Sequence, residues 1–320
     1  MATPPARALA LMSPGLDGAL AVGLLQEQGV EVEAVHLATG FAREASPGRF
    51  GFPVEVRDVR GDYLREVVAQ PRFGTGAGAN PCLDCKLFLL RWAAEEAARR
   101  GTELVCTGEV LGQDAMSQRR EWLARAAREA GLTDRVLRPL SARLLPETAA
   151  ERAGRVDRLR LAAAHGRRRH VQEALAARFG VSETPASAGG CCRLPERAFA
   201  ARVRDLLAHR APEEIGPDDL ALLHLGRHFR LDHGCKAVVA RNAEEGRRLE
   251  ALARGRTTAQ AGQGALVWLD VDPTGEGEAR AASLAVRYGS GPEVAFRGPR
   301  PRTVRARPAE GTWLEASRVL

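Results

Sequence analysis

The chain has 320 residues, 45% apolar and 27% charged, a composition that fits a folded globular protein with room for two cores. Charges break every apolar run and no signal-like leader precedes the first strand pattern, so a cytoplasmic protein without a membrane span is expected, and its six cysteines argue against a disulfide framework. The net charge of +7 is almost wholly arginine, with Lys86 and Lys236 the two lysines among 47 Lys and Arg, which points to nucleic acid or to a genome that writes Arg for Lys.

Residues 7–12 read as a buried strand, followed by the turn Ser13-Pro14-Gly15-Leu16-Asp17-Gly18. The pattern over 19–28 is helical and closes at Gly29, and 30–37 and 54–59 read as further strands. A helical stretch covers 64–69, an amphipathic helix 87–100 ends at Gly101, a strand runs over 103–107, and a helix covers 117–130. Strands alternating with helices at this spacing predict an α/β, Rossmann-like parallel sheet covered on both faces. Ligands of such sheets bind at the carboxyl ends of the strands, where the loops 13–18 and 108–117 fall. The Gly-rich 71–82 loop is expected to close over a substrate. Residues 211–220 read as a linker, which divides the chain into a domain over 1–210 and a smaller α+β domain over 211–320. In the latter, 221–225, 235–239, 265–270 and 284–287 are strand-like, and the Pro- and Arg-rich 297–308 stretch is expected to be extended or partly ordered.

Sulfur chemistry is written into Asn80-Pro81-Cys82-Leu83-Asp84-Cys85-Lys86, with a distant third thiol, Cys191, after two glycines, Gly189 and Gly190. Two near thiols and one distant one can relay a persulfide, Cys191 attacking and Cys82 or Cys85 resolving. They can equally hold a 4Fe–4S cluster with one iron open. A closed zinc site needs a fourth ligand, for which Cys192 and His170 are candidates. Cys106 sits in a strand pattern and reads as a core residue.

The 13–18 loop resembles the Ser-Gly-Gly-x-Asp-Ser signature of the PP-loop ATP pyrophosphatases, departing from it at Pro14 and Gly18. Residues 107–118 look like the second nucleotide motif of tRNA 4-thiouridine synthases, and Asn80-Pro-Cys-Leu-Asp-Cys85 is similar to the cysteine motif of tRNA 2-thiouridylases. The resemblance covers about residues 7–200. It implies ATP-dependent thiolation of a tRNA uridine with Mg²⁺, the sulfur coming from sulfide or a desulfurase persulfide. By it Ser13, Gly15, Asp17, His36, Gly108, Gln113, Ser117 and Gln118 would line the ATP site, with Asp17 on the metal, and Cys82, Cys85 and Cys191 would carry the sulfur, preferably on a cluster. Ala237-Val-Val-Ala-Arg-Asn242 resembles part of the NFACT-R RNA-binding domain, whose alternative use would be contact with a second copy of the chain. Arg167, Arg168 and Arg169 in the basic 151–180 segment, and Arg227, Arg230 and Arg241, are the candidate RNA contacts. A small-molecule sulfur-inserting enzyme, or an RNA-binding protein whose ATPase has decayed at Pro14 and Gly18, are the alternatives.

Overall fold

The structure, a computed structural model, describes residues 5–13, 15–42, 52–181, 190–231 and 234–320; Pro14 and Gly189 lie outside the described residues. The chain forms two compact units, Met1–Gly76 with Asn80–Arg193, and Ala77–Ala79 with Leu194–Leu320. The division falls at 193/194 rather than across 211–220.

The first unit contains β1 (Arg7–Met12), α1 (Leu16–Gln26), β2 (Glu31–Ala38), β3 (Val54–Asp58), α2 (Arg60–Tyr63), α3 (Cys82–Arg100), β4 (Leu104–Thr107), α4 (Arg120–Glu129), β5 (Val136–Leu137), α5 (Ala149–Arg152) and α6 (His170–Arg178). The strands form one sheet in the order β3-β2-β1-β4-β5, every pairing parallel, as the alternation of elements predicts. Because β2 and β4 flank β1, the winding reverses between β1 and β4. A crevice opens there at the carboxyl ends of the strands. Ala8 and Ala10 of β1, Leu20 and Leu24 of α1 and Cys106 of β4 share one core, so Cys106 is the buried apolar residue its pattern suggests.

Three element edges differ from expectation, each for a local reason. α3 begins at Cys82, so both near cysteines lie on its first turn instead of ahead of it. Pro81 caps it, and the Asp84 carboxylate turns back to accept the Arg72 and Phe73 N–H groups at 3.0 and 3.1 Å. That pins the start of the loop expected to close over a substrate. α4 begins only at Arg120, because the Asp114 carboxylate takes the N–H groups of Met116 and Ser117 and the Ser117 hydroxyl into a turn that competes with helix. Residues Leu64–Ala69 wind as a π-helix after α2.

The second unit contains α7 (Arg197–His209), α8 (Pro217–Leu222), β6 (Arg227–Arg230), β7 (Lys236–Val239), α9 (Ala243–Ala251), β8 (Thr257–Ala261), β9 (Val267–Leu269), α10 (Gly275–Arg287), β10 (Glu293–Arg297), β11 (Arg302–Arg305) and α11 (Thr312–Ala316). Its sheet is antiparallel throughout, in the order β11-β10-β8-β9-β7-β6. Two expected strands are not strands. Residues 284–287 form the last turn of α10, whose Ala281, Leu284 and Ala285 pack on the sheet, and 221–225 are the end of α8 and the turn that follows it. A four-residue apolar run has no period of its own by which to choose. No helix among the described residues is long and apolar enough to cross a membrane.

Candidate active site

Three segments of the first unit bring the sulfur residues together. Cys82 and Cys85 stand one turn apart on α3 and therefore share a face. The segment carrying Cys191 is tied to the chain beyond β2 by a bridge between Ala42 and Cys192 and by the Arg193 N–H on the Phe41 carbonyl at 2.9 Å. Phe41 packs on Tyr63, which meets Phe88 of α3 edge-on at 5.5 Å. Cys82, Cys85, Cys191 and Cys192 all line one cleft, together with Ser13, His36, Gly108 and Gln118.

The thiols are chemically unequal. Burial pushes the Cys82 thiol up, and its Sγ donates to Asn80 Oδ1 at 3.1 Å. Burial and the neighbouring Cys191 push Cys85 up to about 12. Cys191 goes the other way, to about 6: the hydrogen bond from Cys192 favours its thiolate, burial opposes, and the Lys86 ammonium adds to the lowering. Its residue surface is nonetheless open to solvent at the rim of the cleft. At neutral pH the site presents one thiolate beside two protonated thiols.

Lys86 follows Cys85 directly and anchors a buried charge cluster that no sequence motif announces. Its Nζ lies 3.3 Å from Glu109 Oε1, and Arg138 Nε and the Thr107 hydroxyl donate to Glu109 Oε2 at 2.9 and 3.1 Å. Burial alone would raise the Glu109 carboxyl. Lys86, Arg138 and the two hydrogen bonds outweigh it and hold the group at about 2. The same Glu109, with the Cys191 thiolate, outweighs desolvation at Lys86 and raises its pKa, so the ammonium stays charged at neutral pH.

At the phosphate-loop end, Gly15 caps α1 with extended backbone and no side-chain cap, leaving the first helical N–H groups for an acceptor. Asp17 Oδ2 accepts from Gln113 Nε2 at 3.0 Å, while its Oδ1 is buried without a partner. A buried carboxylate oxygen with nothing to bind fits a Mg²⁺ that takes its remaining ligands from phosphates and water. Gly108 is required by close backbone approach. A Cβ there would meet Gly18 N at 2.5 Å and Asp17 C at 2.6 Å, so the end of β4 touches the loop after β1 only because residue 108 has no side chain. Gly18 is matched to Met12, whose Sδ and Cε would lie 3.2 and 3.3 Å from an added Cβ. Ser117, Asp114 and Gln118 hold the second loop's shape, Gln118 Oε1 accepting the Asp114 N–H at 2.9 Å. His36 Nδ1 donates to the Met12 carbonyl at 2.9 Å, which leaves Nε2 as the acceptor in the neutral ring. The Gly108→Ala variant is expected to weaken nucleotide binding at least about tenfold by parting the two loops. Equilibrium dialysis with ATP checks this, and unchanged affinity would mean the loops need not touch.

The expected basic residues separate by environment. The 165–166 backbone pairs with the 108–117 loop through Leu111, and the Gly166 N–H donates to the Leu111 carbonyl at 2.7 Å. Arg167 and Arg168 therefore leave the chain next to that loop, exposed, with Arg169 following half-buried before α6. In the second unit, Arg227 lies over Tyr288, Arg230 is bound to Asp205, and Arg241 is bound to Glu245. Phe229, between Arg227 and Arg230 in the chain, is fully buried in the core.

Two comparisons bear on this geometry. A 108-residue stretch is 32% identical to the tRNA-specific 2-thiouridylase MnmA of Desulfosudis oleivorans, covering 31% of this chain. The match spans 30% of that protein's length. Residues 226–296 match the model of the NFACT protein RNA binding domain. Together they give the chain a distant, partial likeness to a tRNA-thiolating enzyme and residues 226–296 a likeness to an RNA-binding domain.

The expected cluster finds no support in this geometry. Among the described residues no group of three His, Cys, Asp or Glu side chains is arranged to hold a metal ion, for iron or for zinc with Cys192 or His170.

Proposed function

We propose that the chain is an ATP-dependent RNA sulfurtransferase that replaces a carbonyl oxygen of a tRNA uridine by sulfur carried on Cys191. The observation that carries this reading is that the phosphate loop, through Ser13 and Gly18, and the low-pKa Cys191 open on one cleft. The likeness to a 2-thiouridylase and the RNA-binding match support this substrate class.

ATP is the first substrate: it adenylates the uridine oxygen, so that AMP rather than oxide leaves, and releases pyrophosphate. The N–H groups at the start of α1 receive the phosphate oxygens, Asp17 Oδ1 would take the Mg²⁺, and Gln113 keeps that carboxylate aimed. The Cys191 thiolate takes a sulfur atom from a protein persulfide and becomes Cys191–S–SH. The outer sulfur attacks the adenylated carbon, the C–O bond breaks, and AMP departs with the oxygen. Cys82 or Cys85, losing its proton, then attacks Cys191 Sγ. The base keeps the outer sulfur with its electron pair, and the two cysteines form a disulfide that a dithiol reductant must reopen. Lys86 steadies the anionic sulfur through these steps.

Single-turnover reaction of the protein with tRNA, ATP and a persulfide donor tests the reading, with AMP and thionucleoside both quantified. Equal amounts are expected. Asp17→Ala should cut both by roughly 10²–10³-fold with RNA affinity unchanged. ATP bound without any AMP release would instead mark an RNA-binding protein with a lost ATPase, and AMP release indifferent to RNA would mark a small-molecule substrate.

A further inference from the structure

The second unit holds a cavity of about 500 Å³ that the sulfur chemistry does not use. It is built on one face of the sheet. Along β6, β7 and β9, alternate residues Phe229, Ala237, Val239, Val267 and Leu269 enter the core with α10. The intervening positions face the cavity: His228 and Arg230, Lys236 and Val238, Trp268 and, just past β9, Asp270. α7 closes it with Arg202 and Asp205.

Three features describe the missing occupant. The lining carries Arg202, Arg210, Arg230, Lys236 and Arg256 against Asp205, Asp219 and Asp270, an excess of positive charge that calls for an anion. Asp205 is shared between Arg230, whose Nη2 is 2.7 Å away, and Lys236, so one carboxylate serves two cations. His228 is 3% exposed, and its Nε2 faces the Leu222 and Leu225 carbonyls at 3.1 and 2.9 Å. Nε2 therefore carries the hydrogen, and Nδ1 is left a buried acceptor without a partner. Such an atom calls for a donor. Trp268 and Val238 add an apolar wall.

The lysine itself points the same way. In a chain that writes Arg nearly everywhere, both lysines line cavities, Lys86 in the first unit and Lys236 here. Lysine differs from arginine in being a compact point charge that can lose its proton when buried. Burial does pull Lys236 down to about 8, Asp205 resisting and Arg230 and Arg202 assisting. An added anion would reverse that shift.

We propose that this cavity binds a mononucleotide: a phosphate held by Lys236 and Arg256, a base against the apolar wall, and an N–H or O–H given to His228 Nδ1. The shared chemistry has two sources, a free nucleotide or the 5′-phosphorylated end of an RNA strand. The proposal is independent of the sulfur-transfer reading, because every lining residue belongs to the second unit.

Isothermal titration of the whole chain tests it. The probes are UMP, uridine, and an RNA pentamer with either a 5′-phosphate or a 5′-hydroxyl. Binding of one UMP, or of one phosphorylated pentamer in preference to its hydroxyl form, is expected. Lys236→Met should weaken it at least about tenfold, and the exposed Arg256→Gln several-fold without disturbing the fold. UMP binding identifies a free nucleotide, and pentamer binding alone identifies an RNA end. No binding, equal binding of uridine and UMP, or binding that survives Arg256→Gln and a folded Lys236→Met unchanged overturns the proposal. Asp17→Ala should leave this binding intact, which separates it from any nucleotide held at the phosphate loop.

Discussion

Replacing Cys191 by serine is expected to abolish sulfur transfer, by roughly 10³-fold or more, while AMP formation on the bound RNA continues. A hydroxyl cannot carry a persulfide, and neither helical thiol of the cleft matches Cys191 as a thiolate. Cys82 and Cys85 are both pushed above their ordinary values by burial, whereas Cys191 is held at about 6 by Cys192 and Lys86. The sign follows from the lowered value. Below pH 6 the Cys191 thiol is protonated and inert; the rate should rise through about 6 and level off above it. Alkylation by iodoacetamide, followed by mass spectrometry, reads the same ionisation without any turnover. Cys191 should react first at neutral pH, with an inflection near 6 that moves upward in Lys86→Met. A Cys191→Ser protein that still thiolates RNA, or preferential alkylation of Cys82, would remove Cys191 from the chemistry.

The sequence announces the first unit far better than the second, and the reason is local. β1 and β4 are mostly apolar runs followed by loop glycines, β2 alternates polar and apolar residues, and α1 and α3 are followed by Gly29 and Gly101 with positive φ. Those signals are short-range and survive in a single sequence. In the second unit β8 is Thr-Thr-Ala-Gln-Ala and β11 is Arg-Thr-Val-Arg, strands made by their neighbours in the sheet rather than by apolar content. At the site, Asp17, Cys82, Cys85 and Cys191 are legible because spacing and chemistry mark them. Glu109 and Arg138 are not. They are separated by 29 positions and meet only because β4 and β5 are adjacent. Lys86 carried a signal that could have found it, as one of two lysines in a chain that otherwise uses arginine.

That buried cluster predicts the largest change in stability. Glu109→Gln keeps the shape and one acceptor oxygen but deprives Lys86 and Arg138 of the buried carboxylate they share. A carboxyl held at about 2 instead of its ordinary 4.5 contributes on the order of 3 kcal/mol at neutral pH. For a unit of this size the melting temperature should fall by roughly 6–12 °C. The pH dependence gives a second, independent check. Because the folded value is the lowered one, the contribution is complete above about 4.5 and disappears as pH falls towards 2. The gap between wild type and variant should therefore be widest at neutral pH and close over that acid window. Adding Lys86→Met to Glu109→Gln should recover part of the loss, since the second change removes a stranded cation. Thermal melts of the two single variants and the double variant from pH 7 to pH 3 decide the matter. Additive losses, or a gap that stays constant across the acid window, would mean that Glu109 is packed for its shape and not for its charge.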